Sequence, residues 1–401
     1  MTPYPGDPRR LLPLIVTITG MGVLAFAIIA PALPDLADEL GVSRGSIGLV
    51  QGAVAVPGIF LAAYIGYLAD KFGRRRVIRA SLLLFGVFGL SCFFARSYWV
   101  LIGARMLQGL GTSGLLSLGV VLIGDLFTGL ERRWAMGINL AALTMTTTLA
   151  PVVGGLLAEG GTFRPFLVYF LAFPVFFMAR RLPDPANDTP PSPPFAHLRE
   201  AMQLLKADGR RSDFLGVLPM SMLTLGVFLG LGLTVLPLFL ESEFSLGVSQ
   251  RGLIAAILSG SSSFASVFSG RVGSILTPRQ VLTTAFTFMV IGFTVIGLAP
   301  SLWILPLGLV VLGLATGSIF PLLQDYSASA GPAQYRGMLV GTWVSANRVG
   351  QFVGPSGGTA VANAIGDRHA YFVGAAVMSV IAVTWMPLRR LGKHLSQRGA
   401  Q

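Results

Sequence analysis

The sequence predicts an all-α membrane protein whose twelve transmembrane helices form two pseudo-symmetric six-helix bundles. Three observations support this fold class. The 401-residue chain is 53% hydrophobic and 11% charged, far more apolar than a soluble domain needs to fill its core. Apolar runs of about 20 residues, the length that spans a bilayer, recur along the whole chain. The second half also repeats a spaced set of residues found in the first half.

Charged residues divide the chain into candidate spans, numbered one to twelve here. The first six cover residues 11–34, 46–69, 77–95, 99–124, 134–158 and 165–179. The other six cover residues 214–240, 252–270, 280–299, 302–324, 337–366 and 370–388. No charged residue separates spans nine and ten. We place the boundary at Ala299-Pro300-Ser301, because the apolar run is longer than one span needs and a proline interrupts it there. Span one is too long for the core of a secretory signal and is expected to remain in the protein.

The basic residues are distributed unequally between the two predicted faces of the membrane. A net charge of +12 would suggest a nucleic-acid partner in a soluble protein, but here most of the 29 Lys and Arg residues fall in segments predicted to face the cytoplasm. We therefore expect no nucleic-acid partner, and a multi-pass protein of the bacterial cytoplasmic membrane with both termini cytoplasmic. The opposite face carries Arg44, Arg96, Arg164, Arg251 and Arg368.

A polar interval divides the chain into an N-terminal bundle (1–182), a linker (183–213) and a C-terminal bundle (214–401). Its segment Thr189-Pro190-Pro191-Ser192-Pro193-Pro194 is typical of a stiff linker. Beyond that segment, one face of a predicted helix is apolar, so the helix is expected to lie on the inner membrane surface. That face comprises Phe195, Leu198, Met202 and Leu205.

One constant offset aligns the two halves without a gap. The matched pairs are Gly66 with Gly270, Trp99 with Trp303, Gly109 with Gly313, Arg132 with Arg336, Gly137 with Gly341, Pro151 with Pro355 and Gly154 with Gly358. Such a pattern indicates a duplicated six-helix unit. Parallel repeats of six spans place a substrate site near mid-depth between the halves.

The segment between spans two and three is Gly66-Tyr67-Leu68-Ala69-Asp70-Lys71-Phe72-Gly73-Arg74-Arg75. It resembles the cytoplasmic signature of the major facilitator superfamily, so the resemblance implies that superfamily's fold. By the same resemblance, Asp70 caps the start of span eleven and Arg74 pairs with Asp125. We name Gly66, Asp70, Gly73, Arg74 and Asp125 the ionic latch; it is expected to stabilise the outward-open state. The second half has Ser274 at the position of the acid.

Span four contains Arg105-Met106-Leu107-Gln108-Gly109, which resembles a motif of proton-coupled members of the superfamily. An arginine within the hydrocarbon region is a functional-site hypothesis by default. Asp35, at the outer end of span one, is a candidate to titrate against Arg105. The alternative is that Arg105 reaches toward the outer surface and binds backbone carbonyls.

Span five contains Pro151, Gly154 and Gly155, similar to the antiporter motif of exporters, although Thr146 and Ala150 replace its first two glycines. Span eleven is closer to that motif, with Gly350, Gly354, Pro355 and Gly358. Close packing of small residues around a proline kink explains both segments without choosing a transport direction.

Arg348 is the candidate substrate-binding residue. A rise of 1.5 Å per residue places it about 15 to 20 Å from the cytoplasmic start of span eleven, near mid-depth. No Asp, Glu or His lies at comparable depth, so we expect Arg348 to face water, a polar cluster or an anionic substrate. The other predicted substrate-binding residues are Asn139, Thr146, Asn347 and Gln351.

Over nearly the whole chain, the resemblance is to the twelve-span drug:proton antiporter branch. It implies a multidrug-type, proton-coupled exporter of small amphipathic or anionic molecules that works by alternating access. Import or exchange of an anionic metabolite is the alternative, and a channel or a membrane sensor is a more distant one. All three histidines lie outside the spans, so we expect no enzyme activity, no metal and no cofactor. We also expect a monomer.

Overall fold

The structure is a computed structural model that describes residues 7–183, 198–207, 211–331 and 335–385. Every regular element within these ranges is a helix. The predicted all-α fold is therefore confirmed for the described part of the chain. Most of the predicted linker, residues 183–213, lies outside these ranges, so the domain boundary stays a prediction.

The six predicted spans of the first half are all helical. Span one runs over Pro8–Glu39, and span two comprises Arg44–Gly52, Ala53–Ala55 and Val56–Phe72. Spans three, four and five are the uninterrupted helices Arg74–Phe94, Tyr98–Leu126 and Gly129–Glu159. Span six is divided into Arg164–Leu171, Ala172–Met178 and Ala179–Arg181.

The second half follows the same order. Span seven covers Arg211–Phe244. Spans eight to twelve are Val248–Ile275, Pro278–Leu298, Leu305–Ser329, Arg336–Ile365 and Asp367–Trp385. Between the halves, Leu198–Ala207 forms a short linker helix.

Nine of the described helices are long and apolar enough to cross a membrane. Spans six, eleven and twelve are outside this set. Span six is divided into short segments, span eleven carries polar side chains such as Asn347 and Arg348, and the description of span twelve ends at Trp385. All three pack against other helices of the bundles.

The two halves pack in the same pattern. Span four packs against spans two and three, span one against span five, and span three against span six. Equivalent contacts join span ten to spans eight and nine, span seven to span eleven, and span nine to span twelve. The halves meet where span two packs against span eleven and span five against span eight. The duplication read from the sequence is therefore repeated in the packing.

Spans one and seven are among the described helices that are distorted near prolines. Span one changes to a short 3-10 turn at Ala30–Ala32, which contains Pro31. Span seven contains a π-helical segment, Phe228–Val235, just before Pro237. Proline has no N–H to donate to the carbonyl four residues earlier, so a regular α-helix cannot continue through it without losing a bond.

The linker helix packs partly on protein, and its predicted position on the membrane surface stays a prediction. Leu205 is buried in a cluster with Phe214, Ala330 and Leu339 of the second half. Its neighbour Leu204 is exposed. Met202 and Leu205 of the predicted apolar face therefore pack against the C-terminal bundle. Phe195, part of the predicted face, lies outside the described residues.

We call the end of the bundles that carries Lys71, Arg132 and Arg133 the basic end. The opposite end is predicted to face away from the cytoplasm, and we call it the outer end. Glycines bring the halves into close contact there. A methyl group on Gly48 would collide with the Pro355 carbonyl, and one on Gly252 would collide with the Pro151 carbonyl. The outer end is therefore closed in this structure.

Candidate functional site between the two halves

Arg348 lies where span eleven of the second half contacts the first half. A methyl carbon on Gly58 of span two would lie 3.0 Å from the Cδ and Nε atoms of Arg348. The guanidinium carbon is 5.9 Å from the centre of the Phe26 ring on span one. Only 5% of Arg348 is exposed. The glycine thus makes room for a long cationic side chain between the bundles.

The charge of Arg348 lacks an acidic partner in the described part of the chain. Its Nη1 donates a hydrogen bond to the neutral Gln351 Oε1 at 2.8 Å, and the described ion pairs all involve other residues. A buried cation without a counter-ion is costly in a membrane protein. An anionic group bound here would supply the missing charge and accept the remaining guanidinium hydrogen bonds.

Two predicted binding residues are engaged within their own halves. Thr19 donates to Asn139 Oδ1 at 2.6 Å, which joins spans one and five. Ser221 donates to Asn347 Oδ1 at 2.9 Å, which joins spans seven and eleven. These equivalent hydroxyl–amide bonds tie the same two helices together in each half. Asn139 and Asn347 therefore hold neighbouring helices together in this structure.

Thr146 lies on span five beside Gly20 of span one. A methyl carbon on Gly20 would be 3.2 Å from the Thr146 hydroxyl, and that hydroxyl donates to the Ala142 carbonyl at 2.8 Å. Of the predicted binding set, the structure brings Arg348 and Gln351 into direct contact. Binding roles for Asn139, Thr146 and Asn347 stay predictions.

Arg105 is fully buried and binds four groups. Its guanidinium donates to the Val50 carbonyl at 3.1 Å, the Ala25 carbonyl at 2.6 Å, Gln108 Oε1 at 2.7 Å and the Tyr169 hydroxyl at 3.3 Å. One side chain thus links spans one, two, four and six. This geometry corresponds to the carbonyl-binding alternative, and the proton-coupling role of Arg105 stays a prediction.

Asp35 and Arg105 have different partners in this structure, and the titration of Asp35 against Arg105 stays a prediction. Asp35 accepts a hydrogen bond from Nη2 of Arg251 at 2.6 Å, whereas the bonds of Arg105 go to other groups. Arg251 begins span eight of the second half, so this ion pair crosses between the halves at the outer end. The sequence offered no local signal for it, because the two residues are 216 positions apart.

Arg74 forms an ion pair with Asp125 at the end of span four, as the family resemblance implied. Asp70 Oδ1 lies 3.7 Å from Nη2 of Arg74. Gly73 has a positive φ of 93°, which glycine adopts at no steric cost, and it separates spans two and three. No described atom lies within 4 Å of a methyl carbon placed on Gly66. The role of this set as a latch stays a prediction.

The glycines of the antiporter-like motifs lie at helix contacts. Gly154 faces the Ile28 carbonyl at the distorted part of span one, and Gly155 faces the start of span eight. Gly354 faces Gly226 of span seven. Pro151 and Pro355 lie inside helices, and their carbonyls are the groups that Gly252 and Gly48 approach. These motif residues therefore adjoin contacts both within and between the halves.

A separate apolar cavity of about 240 Å³ lies between spans seven, eleven and twelve. Its lining includes Gly226, Gly230, Gly354, Val373 and Val377. The described residues of the lining include no titratable side chain. The cavity is on the face of span eleven that packs against span seven, away from the Gly58 contact of Arg348.

The model of the Major Facilitator Superfamily matches residues 15–247 and 220–400 of the chain. The chain belongs to the Major Facilitator Superfamily. It is therefore a multi-pass membrane transporter, and its two packed halves are those of the major facilitator fold.

Relatives of known name match this transporter over most of its length. The chain is 26% identical to the "Bacillibactin exporter" of Bacillus subtilis over 359 residues, which cover 86% of each chain. It is also 26% identical to "Multidrug resistance protein MdtG" of Salmonella typhi over 393 residues, 94% of this chain and 95% of the relative.

Solved structures share the fold. A bacterial homologue of the human lysosomal transporter Spinster, in an inward-facing unoccupied conformation, matches with a TM-score of 0.78 at 16% identity; the match covers 96% of this transporter and 98% of that chain. The human organic anion transporter MFSD10 matches with a TM-score of 0.72 at 20% identity, over 94% and 99% of the two chains.

Sequence reasoning missed several residues around Arg348 and at the outer end. Phe26, Gly58 and Arg251 became visible only from the packing. Aromatic and glycine residues are common in transmembrane helices, so neither Phe26 nor Gly58 stands out in the sequence. Arg251 was assigned to the outer face, but its partner depends on how the two halves meet.

Proposed function

We propose that this transporter exports small amphipathic or anionic molecules across the cytoplasmic membrane in exchange for protons, with Arg348 as the residue that binds the substrate anion. The observation that carries the proposal is the buried guanidinium of Arg348. It lies between the halves and rests against Phe26, and among the described residues its hydrogen bond goes to neutral Gln351. An amphipathic anion matches both the charge and the aromatic surface.

Export is supported by the names of the two relatives, one an exporter and the other a multidrug resistance protein. The proposed orientation has the basic end and both termini in the cytoplasm. Proton coupling and a monomeric state belong to the proposal as well. Import or exchange of an anionic metabolite is the alternative, because a buried arginine binds an anion in either transport direction.

The proposal is tested by proton movement in proteoliposomes with an imposed pH gradient. An internal pH-sensitive dye reports the gradient while cationic, neutral and anionic compounds are added in turn. We expect anions to dissipate the gradient in the wild type and in Arg348→Lys, which keeps the charge, but not in Arg348→Ala. Arg96→Ala, which removes an exposed arginine, is the control and should transport normally.

Two outcomes would count against the proposal. If cations alone dissipate the gradient and Arg348→Ala has no effect, the anion site is refuted and a cation antiporter explains the protein better. If anions cross at equal rates with and without a pH gradient, proton coupling is refuted, whereas the assignment of Arg348 as the anion site is not.

A further inference from the structure

We infer that the ion pair of Asp35 with Arg251 controls the opening of the outer end, and that a proton added to Asp35 from the outer side releases the contact. Asp35 and Arg251 then act as positioning residues for the transport cycle. The inference rests on the proposed orientation and on alternating access, but it does not depend on the identity of the substrate.

The pair joins the two halves at a point that must separate. Asp35 belongs to span one and Arg251 to span eight, and Nη2 lies 2.6 Å from the carboxylate. Next to Arg251, Gly252 packs against the Pro151 carbonyl of span five. Opening of the outer end separates spans one and five from span eight, which removes this backbone contact and draws Asp35 away from Arg251. Breaking the pair is therefore part of every transport cycle.

The two partners differ in exposure, and this difference indicates which one responds to the outside. The Asp35 side chain is 39% exposed, whereas the Arg251 side chain is 3% exposed. Nε and Nη1 of Arg251 are buried without a hydrogen-bond partner within the described residues. Asp35 is thus accessible to external protons, and its carboxylate supplies the compensating charge for a guanidinium that water does not reach.

Protonation of Asp35 forms one O–H bond and leaves a neutral carboxylic acid, while Arg251 keeps its charge. A buried cation that loses its counter-ion is destabilised in place. It is stabilised again when the halves part and water reaches the guanidinium, so proton binding favours the outer-open state by linkage. Asp35 takes this proton from the outer side and returns it there, so it controls opening and carries no proton across.

A second cross-half pair provides an internal comparison. Arg44 of span two pairs with Glu241 of span seven at 2.6 Å, with side chains 38% and 28% exposed. Both side chains of this pair are partly hydrated. When one of them is neutralised, the charge of the other is therefore still stabilised by water. We therefore assign the proton response to Asp35 and treat Glu241 as its matched control.

Other charged groups lie on span one and on the elements packed against its outer end, and any of them could contribute to a response to pH. They are Asp38 and Glu39 on span one, Arg44 on span two, Glu159 on span five, Glu241 and Glu243 on span seven, and Arg251 on span eight. Single substitutions separate the contribution of Asp35 from these.

The test is double electron–electron resonance on the transporter in lipid nanodiscs without substrate. In a Cys92→Ala background, Ser97→Cys with Trp303→Cys places spin labels on exposed positions of the two halves at the outer end. Leu130→Cys with Ile275→Cys does the same at the basic end. Both distances are measured from about pH 7.5 down to about pH 3, because carboxylates paired with arginine generally take up protons only below the ordinary carboxyl range near about 4.

Acidification should increase the outer-open population several-fold, so that the outer distance lengthens while the basic-end distance shortens. Asp35→Asn should be outer-open at both pH values, and Arg251→Gln should also lose the response. Asp35→Glu and Glu241→Gln should retain it. A wild-type response in Asp35→Asn, or a lost response in Glu241→Gln, would overturn the inference. A change in the outer distance without a change in the basic-end distance would also overturn the inference, because it would indicate local unfolding at the outer end and not a movement of the two halves.

Discussion

The guanidinium carbon of Arg348 lies 5.9 Å from the centre of the Phe26 ring, so a cation of the second half rests against an aromatic side chain of the first. Gly58 makes room for this contact, since a methyl carbon there would lie 3.0 Å from Arg348 Nε. Because the halves move relative to each other during alternating access, the surroundings of Arg348 change with the state of the transporter. The proposed anion site is therefore coupled to the conformational change.

The first prediction concerns Phe26. Phe26→Leu keeps an apolar side chain but removes the aromatic face, and a cation–π contact is worth about 0.5–2 kcal/mol. We expect the anion concentration for half-maximal transport to rise by about 2- to 30-fold with a similar maximal rate. Initial rates of proton movement in proteoliposomes measure both quantities. Phe60→Leu, at an exposed position of span two, should leave both unchanged; an unaltered half-maximal concentration in Phe26→Leu would refute the role of the ring.

The second prediction concerns closure of the outer end. A methyl group on Gly48 collides with the Pro355 carbonyl, whereas one on Gly137 meets open space. Both substitutions by alanine gain about 1 kcal/mol of helix propensity, so this effect cancels in the comparison. Gly48→Ala should increase the outer-open population, and Gly137→Ala should not. The spin labels at Ser97→Cys and Trp303→Cys measure that population, and equal populations in the two variants would contradict the prediction.

The third prediction concerns Arg105, which binds two backbone carbonyls, Gln108 and Tyr169. A lysine ammonium lacks the planar set of donors that reaches all four. Arg105→Lys should lower the free energy of unfolding by at least about 2 kcal/mol, because buried acceptors are left unsatisfied. Thermal unfolding in detergent detects the loss, with Arg96→Lys as the exposed control. Normal stability combined with lost proton coupling would instead assign Arg105 to the proton pathway.

The fourth prediction concerns the linker helix. Leu205 is buried against Phe214 and Leu339, while the adjacent Leu204 is exposed. Leu205→Ala should destabilise the packed helix by about 2–5 kcal/mol, the cost of removing a buried leucine side chain. Leu204→Ala should have little effect. Limited proteolysis at the linker compares the two variants, and equal cleavage rates would show that the helix does not depend on this contact.

Much of the fold was predictable from the sequence, because each span is a local signal. The apolar runs and the repeat that matches Trp99 with Trp303 predicted two related bundles, and the packing repeats that relationship. The π-helical segment before Pro237 was not predicted. A proline near a helix interior indicates a distortion, but its form depends on neighbouring helices such as span eleven, which Gly230 approaches closely.

The candidate site was less predictable, because its contacts join distant parts of the chain. The position of Arg348 along span eleven, near mid-depth, was enough to identify it as a candidate. The sequence did not reveal that Asn347 bonds to Ser221, since a polar residue in a span can face either a neighbouring helix or a cleft. The pairing of Asp35 was also missed, because depth alone does not show that Arg251 meets it when the outer end is closed.

The central claim, export of anions through a site at Arg348, is tested most directly by dye accumulation in bacterial cells that lack their own efflux pumps. Cells that produce the wild type, Arg348→Lys or Arg348→Ala are loaded with a fluorescent anionic dye or a cationic dye of similar size, and retention is followed over time. We expect the wild type and Arg348→Lys to lower retention of the anionic dye, and Arg348→Ala to retain it as control cells do. Greater retention of the anionic dye in wild-type cells, or export of the cationic dye alone irrespective of Arg348, would contradict the account.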